Sequence, residues 1–230
     1  MANIITFTPS FDVSDLYKPK PASFFLPEWY KKTSSYIDGK KELDSLYQTT
    51  QTIKRCMPVF DILSTGYIIP TYCDLLIRKK DRDIVYVTSH NQNIEFHPTS
   101  QAPYHPNVSE NPYPKWINPW GIKTPKGYSV LLTSPFHNPN GFFTVMPAIV
   151  DTDTYDSPVN FPFVLDNLDF EGIIPAGTPM VQVIPFKRDS WEMSFGSEED
   201  IKNIKNTNLS LGSMFFDRYK NIFRTPKEYK

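Results

Sequence analysis

Hydrophobic residues in the second half of the chain fall into short runs that turn residues separate. Over residues 121–188 these runs are GIKTP, GYSVLLTS, GFFTVMPAIVD, SPVNFPFVLDN, FEGIIPAGTP and MVQVIPFKR. Gly, Pro, Asn and Asp lie at the ends of these runs. Short β-branched and aromatic runs with turn signals between them are typical of an antiparallel sandwich or barrel. The pattern therefore predicts a mostly-β core.

An earlier stretch, GYIIPTYCDLLIRKKDRDIVYVTS, predicts two strands around a charged turn. Cys73, Leu75 and Ile77 alternate with other residues, so these three side chains are expected to share one face, opposite the intervening ones. The charged residues at 79–83 are expected to form a solvated hairpin tip.

Two segments favour helices. Residues 42–56 carry apolar side chains near helical spacing, and Pro58 is expected to end or kink this helix. Residues 191–230 also favour helix, with Ser197 as an N-cap and three following acids that suit the positive helix end. Between residues 97 and 120, six prolines and two histidines predict a long irregular loop.

Residues 1–41 are rich in proline and aromatic residues without a sustained period, which predicts an extended arm. Phe24, Phe25, Trp29 and Tyr30 are interface candidates, because burying one such side chain is worth about 1.5–3 kcal/mol. They are expected to pack either on their own domain or on a partner subunit. The predicted organisation is an arm (1–41), a β domain (42–190) and a helical tail (191–230).

Composition and charge limit the classes of function. The 230 residues include 24 Lys and Arg against 25 Asp and Glu, a formal net charge of −1, so nucleic-acid binding is not expected. No stretch has the pattern of a signal peptide or of a membrane span, so we expect a protein that is soluble and not secreted. Cys56 and Cys73 are expected to be buried thiols of a reducing cytosol. The four histidines have no further ligands at defined spacing, so no metal site is predicted.

Two acids stand at the end of an apolar run in PAIVDTDTYDSPVNFPFVLDN, residues 147–167. Asp151 and Asp153 are two residues apart, and a carboxylate in such a turn can orient and deprotonate water. Aspartate also caps turns through bonds to its own backbone. The residues alone leave both the catalytic and the structural role open.

Three motifs follow one another over residues 121–188. GIKTPKGYSVLLTS is similar to a strand written G-I-x-x-P-x-G-Y-x-x-x-I, PAIVDTDTYDSP to a hairpin written G-V-I-D-x-D-Y-R-G, and IIPAGTPMVQVIPF to a strand written I-x-x-G-x-x-I-A-Q-L. In this order they resemble the core of the trimeric dUTPase and dCTP-deaminase superfamily. The resemblance implies a dUTPase-like β-clip barrel or sandwich and a homo-oligomer, a trimer around a three-fold axis.

The resemblance also implies roles for single residues. The first acid of the family's hairpin holds the deoxyribose 3′-hydroxyl and the attacking water, and Asp151 occupies that position. Ser134, Asp153, Gln182 and Phe195 are the corresponding ligand-binding candidates; Phe195 lies in SFGSEED, which is similar to a C-terminal lid motif. On this interpretation the chain is a divergent nucleotide hydrolase, a deaminase-like enzyme or a nucleotide-binding protein, with Mg²⁺ bridging the phosphates.

Departures from the family pattern favour a different function. The family's P-R-S-G turn is replaced by residues 133–137, TSPFH, which lack the arginine that a triphosphate needs. Tyr155 comes one residue later than the family's aromatic ring, which places it on the opposite face of a strand. We therefore expect a non-enzymatic protein without a cofactor that uses a dUTPase-like domain for self-association.

The chain as a whole, with PASFFLPEWYKK and IKRCMPVFD, also resembles proteins of tailed bacteriophages. This second resemblance implies a structural protein associated with the virion or capsid. It would be made in the host cytoplasm, and other virion proteins would be further partners.

Overall fold

Antiparallel strands make up most of the regular structure in the computed structural model, which describes residues 3–14, 17–39, 50–80, 83–88, 93–101, 113–212 and 219–230. The strands are β1 Thr6–Pro9, β2 Lys20–Pro21, β3 Tyr67–Pro70, β4 Leu75–Lys80, β5 Asp83–Thr88, β6 Ile94–His97, β7 Tyr113–Trp116, β8 Trp120–Lys123, β9 Tyr128–Thr133, β10 Phe143–Val145, β11 Ala148–Val150, β12 Phe161–Leu165, β13 Gly172–Ile174 and β14 Pro179–Lys187. The α-helices are α1 Glu28–Lys32, α2 Met57–Ser64 and α3 Glu198–Gly212. Single turns of other helix types span Ala22–Phe25, Ile37–Gly39, Ile53–Arg55, Thr99–Gln101 and Tyr219–Phe223.

The prediction of a mostly-β fold is confirmed. Strands β11, β9, β14, β3 and β2 form a five-stranded sheet in that order, and β10, β12, β7 and β6 form a four-stranded sheet. A three-stranded sheet has the order β13, β4, β5, and β1 pairs with β8. The predicted hairpin is β4 and β5, which pair from Leu75↔Thr88 to Lys80↔Asp83.

The hydrophobic core is built from alternate positions of these strands. Leu75 and Ile77 are buried together with Cys73, as their predicted common face requires. The rings of Trp116, Phe143 and Phe163 contact one another, with centroids 5.2–6.1 Å apart. Each such side chain contributes about 1.5–3 kcal/mol through burial.

Strand β14 is central to the five-stranded sheet and sets the register of the site. It pairs with β9 from Gln182↔Thr133 to Lys187↔Tyr128 and with β3 on its other side. Gly66 precedes β3 with a φ of +75°, and a Cβ there would lie 2.1 Å from the carbonyl oxygen of Val183. Only glycine therefore allows the chain to enter β3 so close to β14.

The chain divides into two compact units. The first comprises Met1–Leu26, Leu63–Arg188 and Tyr229–Lys230 and contains the sheets; the second comprises Pro27–Ile62 and Asp189–Glu228. This division differs from the predicted arm, β domain and tail. The first 26 residues belong to the β unit, and the unit boundary after Arg188 lies close to the predicted one at 190.

An ion-pair cluster lies within the second unit. Asp61 of α2 accepts hydrogen bonds from Arg224 Nη2 at 2.7 Å and from Lys227 Nζ at 2.9 Å. Burial alone would raise the pKa of Asp61, but its bonds to the two cations outweigh burial and lower it. The cluster attaches the segment after residue 223 to α2.

The described residues before Leu26 contain two short strands that pair with strands of the β unit, so this part of the predicted arm lies on its own chain. β1 pairs with β8 from Thr6↔Lys123 to Pro9↔Trp120, and β2 pairs with β3. The backbone N–H and hydroxyl of Ser10 both donate to the carbonyl of Pro119, at 2.7 and 3.0 Å. β1 and its partner β8 are more than a hundred residues apart in the sequence, so no local sequence pattern indicates that they pair.

The helix predicted over 42–56 is not found in its described part. Its residues 42–49 lie outside the described residues, and Ile53–Arg55 form a single 3-10 turn. The helix found is α2, Met57–Ser64. Pro58 lies in the first turn of α2, where the missing N–H would have no partner within the helix, so this proline is compatible with the start of the helix and does not end it.

The loop predicted over 97–120 contains strand β7, while residues 102–112 lie outside the described residues. β7 pairs with β6, and β12 reaches only Lys115 and Trp116 of β7. At Pro114 the strand therefore has one neighbour, as an edge strand does, and the missing N–H breaks no ladder bond to β12. This is why a proline-rich segment still forms a strand.

Helix α3 begins with a reciprocal cap. The N–H of Asp200 donates to Ser197 Oγ at 3.3 Å, and the N–H of Ser197 donates to Asp200 Oδ2 at 2.7 Å. The bonds from Ser197 lower the pKa of Asp200. None of the helices formed by the described residues has the length and hydropathy that crossing a membrane requires.

The two cysteines differ in exposure, which corrects the prediction that both are buried. Cys73 is buried, and its sulfur accepts a hydrogen bond from Asn93 Nδ2 at 3.1 Å. Burial raises the pKa of the Cys73 thiol. Cys56 is exposed.

Candidate functional site

The two predicted aspartates lie in the turn that follows β11. The backbone N–H groups of Thr154 and Tyr155 donate to the carbonyl of Asp151 at 3.1 and 3.0 Å. The hydroxyl of Thr152 is buried and shares a hydrogen bond of 2.8 Å with the hydroxyl of Thr124. This buried contact fixes the turn against the segment that precedes β9.

Asp153 is held by Arg188, a residue that the sequence did not single out. Nη1 of Arg188 donates to Asp153 Oδ1 at 2.8 Å, and Nη2 pairs with Oδ2. The N–H of Gly127 donates to the same Oδ2 at 2.8 Å, and the side chain of Asp153 is only 3% exposed. The bonds from Arg188 and Gly127 lower the pKa of Asp153 to about 2. This carboxylate is therefore ionised, and both of its oxygens accept hydrogen bonds from groups of the same chain.

Asp151 is the more accessible of the two acids. Its side chain is 61% exposed, and its Oδ1 accepts a hydrogen bond from Ser129 Oγ at 2.6 Å. Oδ1 also lies 3.2 Å from Nη1 of Arg188. The structure thus orients this carboxylate while leaving it open to solvent.

Ser134 and Gln182 both stabilise the loop that follows β9. Gln182 is 1% exposed; its Nε2 donates to the carbonyl of Thr65 at 2.7 Å, and its Oε1 accepts from the N–H of Phe136 at 3.0 Å. Ser134 Oγ accepts from the N–H of Val145 at 2.8 Å. In this structure both ligand-binding candidates bond to backbone groups of their own chain.

The candidate residues form two groups at opposite ends of β9. Asp151 bonds to Ser129, near the start of this strand, whereas Ser134 directly follows its end. Five residues of strand span about 16 Å. Gln182 pairs with Thr133 and so lies at the same end as Ser134. Within one chain the structure therefore does not bring Asp151 together with Ser134 and Gln182.

Arg188 joins the first group because of strand register. β14 runs antiparallel to β9, so residues after Lys187 lie next to the start of β9, where Asp151 and Asp153 also lie. The feature of the sequence that could have indicated Arg188 is its position as the basic residue at the end of the run MVQVIPFKR. Its partner could not be read from the sequence, because the pairing depends on the register of two strands that are about 50 residues apart.

The predicted interface residues differ in their placement. Phe24 and Trp29 are exposed, whereas Phe25 is half-buried and its carbonyl accepts a hydrogen bond from Asn138 Nδ2 at 2.8 Å. Tyr30 is buried and stacks on Phe60 with ring centroids 6.3 Å apart. Burial raises the pKa of Tyr30. Tyr30 therefore packs within its own chain, the first of the two placements expected for these side chains.

Phe195 belongs to the second unit, and its side chain is 90% exposed. It lies between β14 and α3 with other exposed residues. The described side chains give it no ring partner.

The histidines and acids of the described residues bring no three metal-binding side chains together. A ring nitrogen of His97 bonds to Gln101, and the ring lies 5.2 Å from that of Tyr113. His90 and His105 lie outside the described residues.

Comparison with protein-family models, with curated proteins and with solved structures returned no match for this chain. The likeness to the dUTPase and dCTP-deaminase superfamily thus depends on the three motifs of residues 121–188.

Proposed function

We propose that this protein is a non-enzymatic structural protein that self-associates, as a trimer of dUTPase-like β-clip units. One observation carries the proposal: every residue from 187 to 209 is exposed, including six large apolar side chains. These side chains are Trp191, Met193, Phe195, Ile201, Ile204 and Leu209.

Such a segment is costly to leave in water. Burying Trp191, Met193 and Phe195 alone contributes roughly 4.5–9 kcal/mol, at about 1.5–3 kcal/mol for each side chain. Exposed apolar surface of this kind marks an interaction site in a soluble protein. A second copy of the chain is always present at the same concentration, and closed cyclic assemblies are the usual result of such contacts.

The geometry around the aspartates also supports a structural role. Arg188 and Gly127 occupy the carboxylate of Asp153, and Gln182 and Ser134 bond to backbone groups of their own chain. A triphosphate site needs cations and donors that are directed at the ligand. The likeness to phage proteins supports a place in the virion, with other virion proteins as further partners.

A divergent nucleotide hydrolase or nucleotide-binding protein is the second candidate. It is favoured by Asp151, whose carboxylate is fixed by Ser129 and 61% exposed. An oriented and accessible carboxylate is what a general base for water requires. If nucleotide were bound, Mg²⁺ would be expected to bridge its phosphates.

The two candidates are separated by measuring the mass of the purified chain in solution and the release of pyrophosphate from a panel of deoxynucleoside triphosphates with Mg²⁺. We expect an assembly heavier than the 26.6 kDa chain that releases none. Asp151→Asn is the test variant, and Asp156→Asn is its matched control, because Asp156 is an exposed acid of the same turn that pairs with Lys123. Turnover that disappears in Asp151→Asn but persists in Asp156→Asn would make this protein an enzyme.

A further inference from the structure

Helix α3 packs against none of the described residues outside its own segment. Every side chain from Glu198 to Leu209 is exposed. The helix has 15 residues and contains three asparagines and a threonine, which are weak helix formers. An isolated helix of about this length is only marginally stable in water. Helix α3 therefore needs a contact that the described part of one chain does not supply.

The apolar side chains of α3 include a stripe at heptad spacing. Ile201 and Ile204 are 51% and 60% exposed and lie three residues apart, and Asn208 follows four residues later. Steps of three and four residues keep side chains on one face of a helix. In the heptad letters abcdefg, Ile201 takes position a, Ile204 position d and Asn208 the next a. This is the pattern of a coiled-coil seam with one polar residue.

The residue types of this seam indicate a second copy of α3 as the partner. Isoleucine at both a and d shifts coiled coils from two strands toward three or four. A single asparagine at an a position specifies register, because its buried amide needs a hydrogen-bond partner at the same level of the neighbouring helix. Parallel copies of α3 in register supply Ile201, Ile204 and Asn208 at matching levels.

Charges beside the seam favour the same arrangement. Asp200 takes position g and Lys205 position e, so the two side chains flank the stripe. In a parallel coiled coil, a g side chain lies next to the e side chain of the following heptad on its neighbour. Asp200 of one copy thus meets Lys205 of the next. The cap bonds of Asp200 use Oδ2, and Lys205 forms no ion pair with the described residues of its own chain.

We infer that the α3 helices of three copies of this chain pack in parallel and in register along Ile201, Ile204 and Asn208, as a short coiled coil. This inference rests on the proposed trimer and names its contact. Three parallel helices can share the three-fold axis of a closed ring, so each copy buries the same stripe. Because α3 spans only about two heptads, the helix is expected to be stable only in the assembly.

The first test measures the concentration at which the full chain dissociates, by sedimentation equilibrium. Ile204→Asn removes a seam side chain, and Leu209→Asn is its matched control, since Leu209 is a 75% exposed side chain at position b of the same helix. Lys205→Glu places two acids together at the seam, whereas Lys202→Glu changes the same charge at position b. Ile204→Asn should raise the dissociation constant at least about tenfold over Leu209→Asn. Lys205→Glu should raise it more than Lys202→Glu, most clearly at low salt.

The second test cross-links the helices through disulfides in a Cys56→Ser chain, which lacks the exposed native thiol. Ile201→Cys and Asn208→Cys are made separately, and Asn203→Cys is the control, because Asn203 is an exposed residue of the opposite face. The two seam variants should form dimers that a reducing agent reverses, and the control should not. Positions 201 and 208 lie about 10 Å apart along the helix, so an antiparallel pair can bring only one of them next to its own copy.

Three results would overturn the inference while leaving self-association in place. These are equal dissociation constants for Ile204→Asn and Leu209→Asn, cross-linking at position 203 as strong as at 208, and cross-linking at only one of positions 201 and 208. A wild-type chain that is monomeric would instead overturn the proposed function itself. Slow amide hydrogen exchange in β9 and β14 of every variant shows that the substitutions leave the β unit folded.

Discussion

Replacing Gln182 by methionine tests whether this buried amide is structural. The substitution nearly preserves the side-chain volume and removes the hydrogen bond to the carbonyl of Thr65 at 2.7 Å and the one from the N–H of Phe136 at 3.0 Å. Each partner left unpaired costs about 1–3 kcal/mol. Phe136 is only half-buried, so we expect a total loss of about 2–4 kcal/mol in the free energy of unfolding.

Urea unfolding followed by tryptophan fluorescence measures this loss, because Trp116 and Trp120 are buried in the β unit and report its unfolding. The thermal midpoint should fall by about 5–15 °C in parallel. Gln101→Met is the matched control, since Gln101 is exposed, and it should change stability by less than about 0.5 kcal/mol. If the free energy of unfolding of Gln182→Met lies within about 0.5 kcal/mol of the wild-type value, the amide does not stabilise the loop and the structural role assigned to it is wrong.

Three further predictions concern stability. The pKa of Asp153 is about 2 in the folded chain, against an ordinary value of 3.8. Its pairing with Arg188 therefore stabilises the fold fully above about pH 4, and this stabilisation is lost as the pH falls toward 2. Urea midpoints measured from pH 5 to pH 2 should fall less steeply in Asp153→Asn than in the wild type. Asp61→Asn breaks a mostly buried ion pair and should cost about 3 kcal/mol, measured by urea unfolding of the second unit; a loss below about 1 kcal/mol would contradict the pairing. Gly66→Ala forces a Cβ against the carbonyl of Val183 and should lower the thermal midpoint strongly; an unchanged midpoint would contradict the close approach of β3 to β14.

Local patterns in the sequence were sufficient for much of the β core. The alternation around Leu75 and Ile77 placed these side chains correctly, because a strand with one buried face repeats every two residues. The Ser197 cap could be anticipated for a similar reason, since its partner Asp200 is three residues away. Contacts within a few residues are readable from sequence.

Contacts between distant strands were not readable. The ion pair of Arg188 with Asp153 and the bond of Gln182 to Phe136 each depend on the register of β14 against β9. The same is true of β1, whose partner β8 lies more than a hundred residues later. The motifs therefore identified the residues of the candidate site but not the groups of the same chain that form hydrogen bonds and ion pairs with them.

The central claim is that this chain self-associates, and sedimentation equilibrium of the full chain over a range of concentrations tests it most directly. The account predicts a mass of three times 26.6 kDa that persists at micromolar concentration. A constant mass of 26.6 kDa up to the highest soluble concentration would contradict it, because the six large apolar side chains between residues 187 and 209 would then remain exposed without a partner copy.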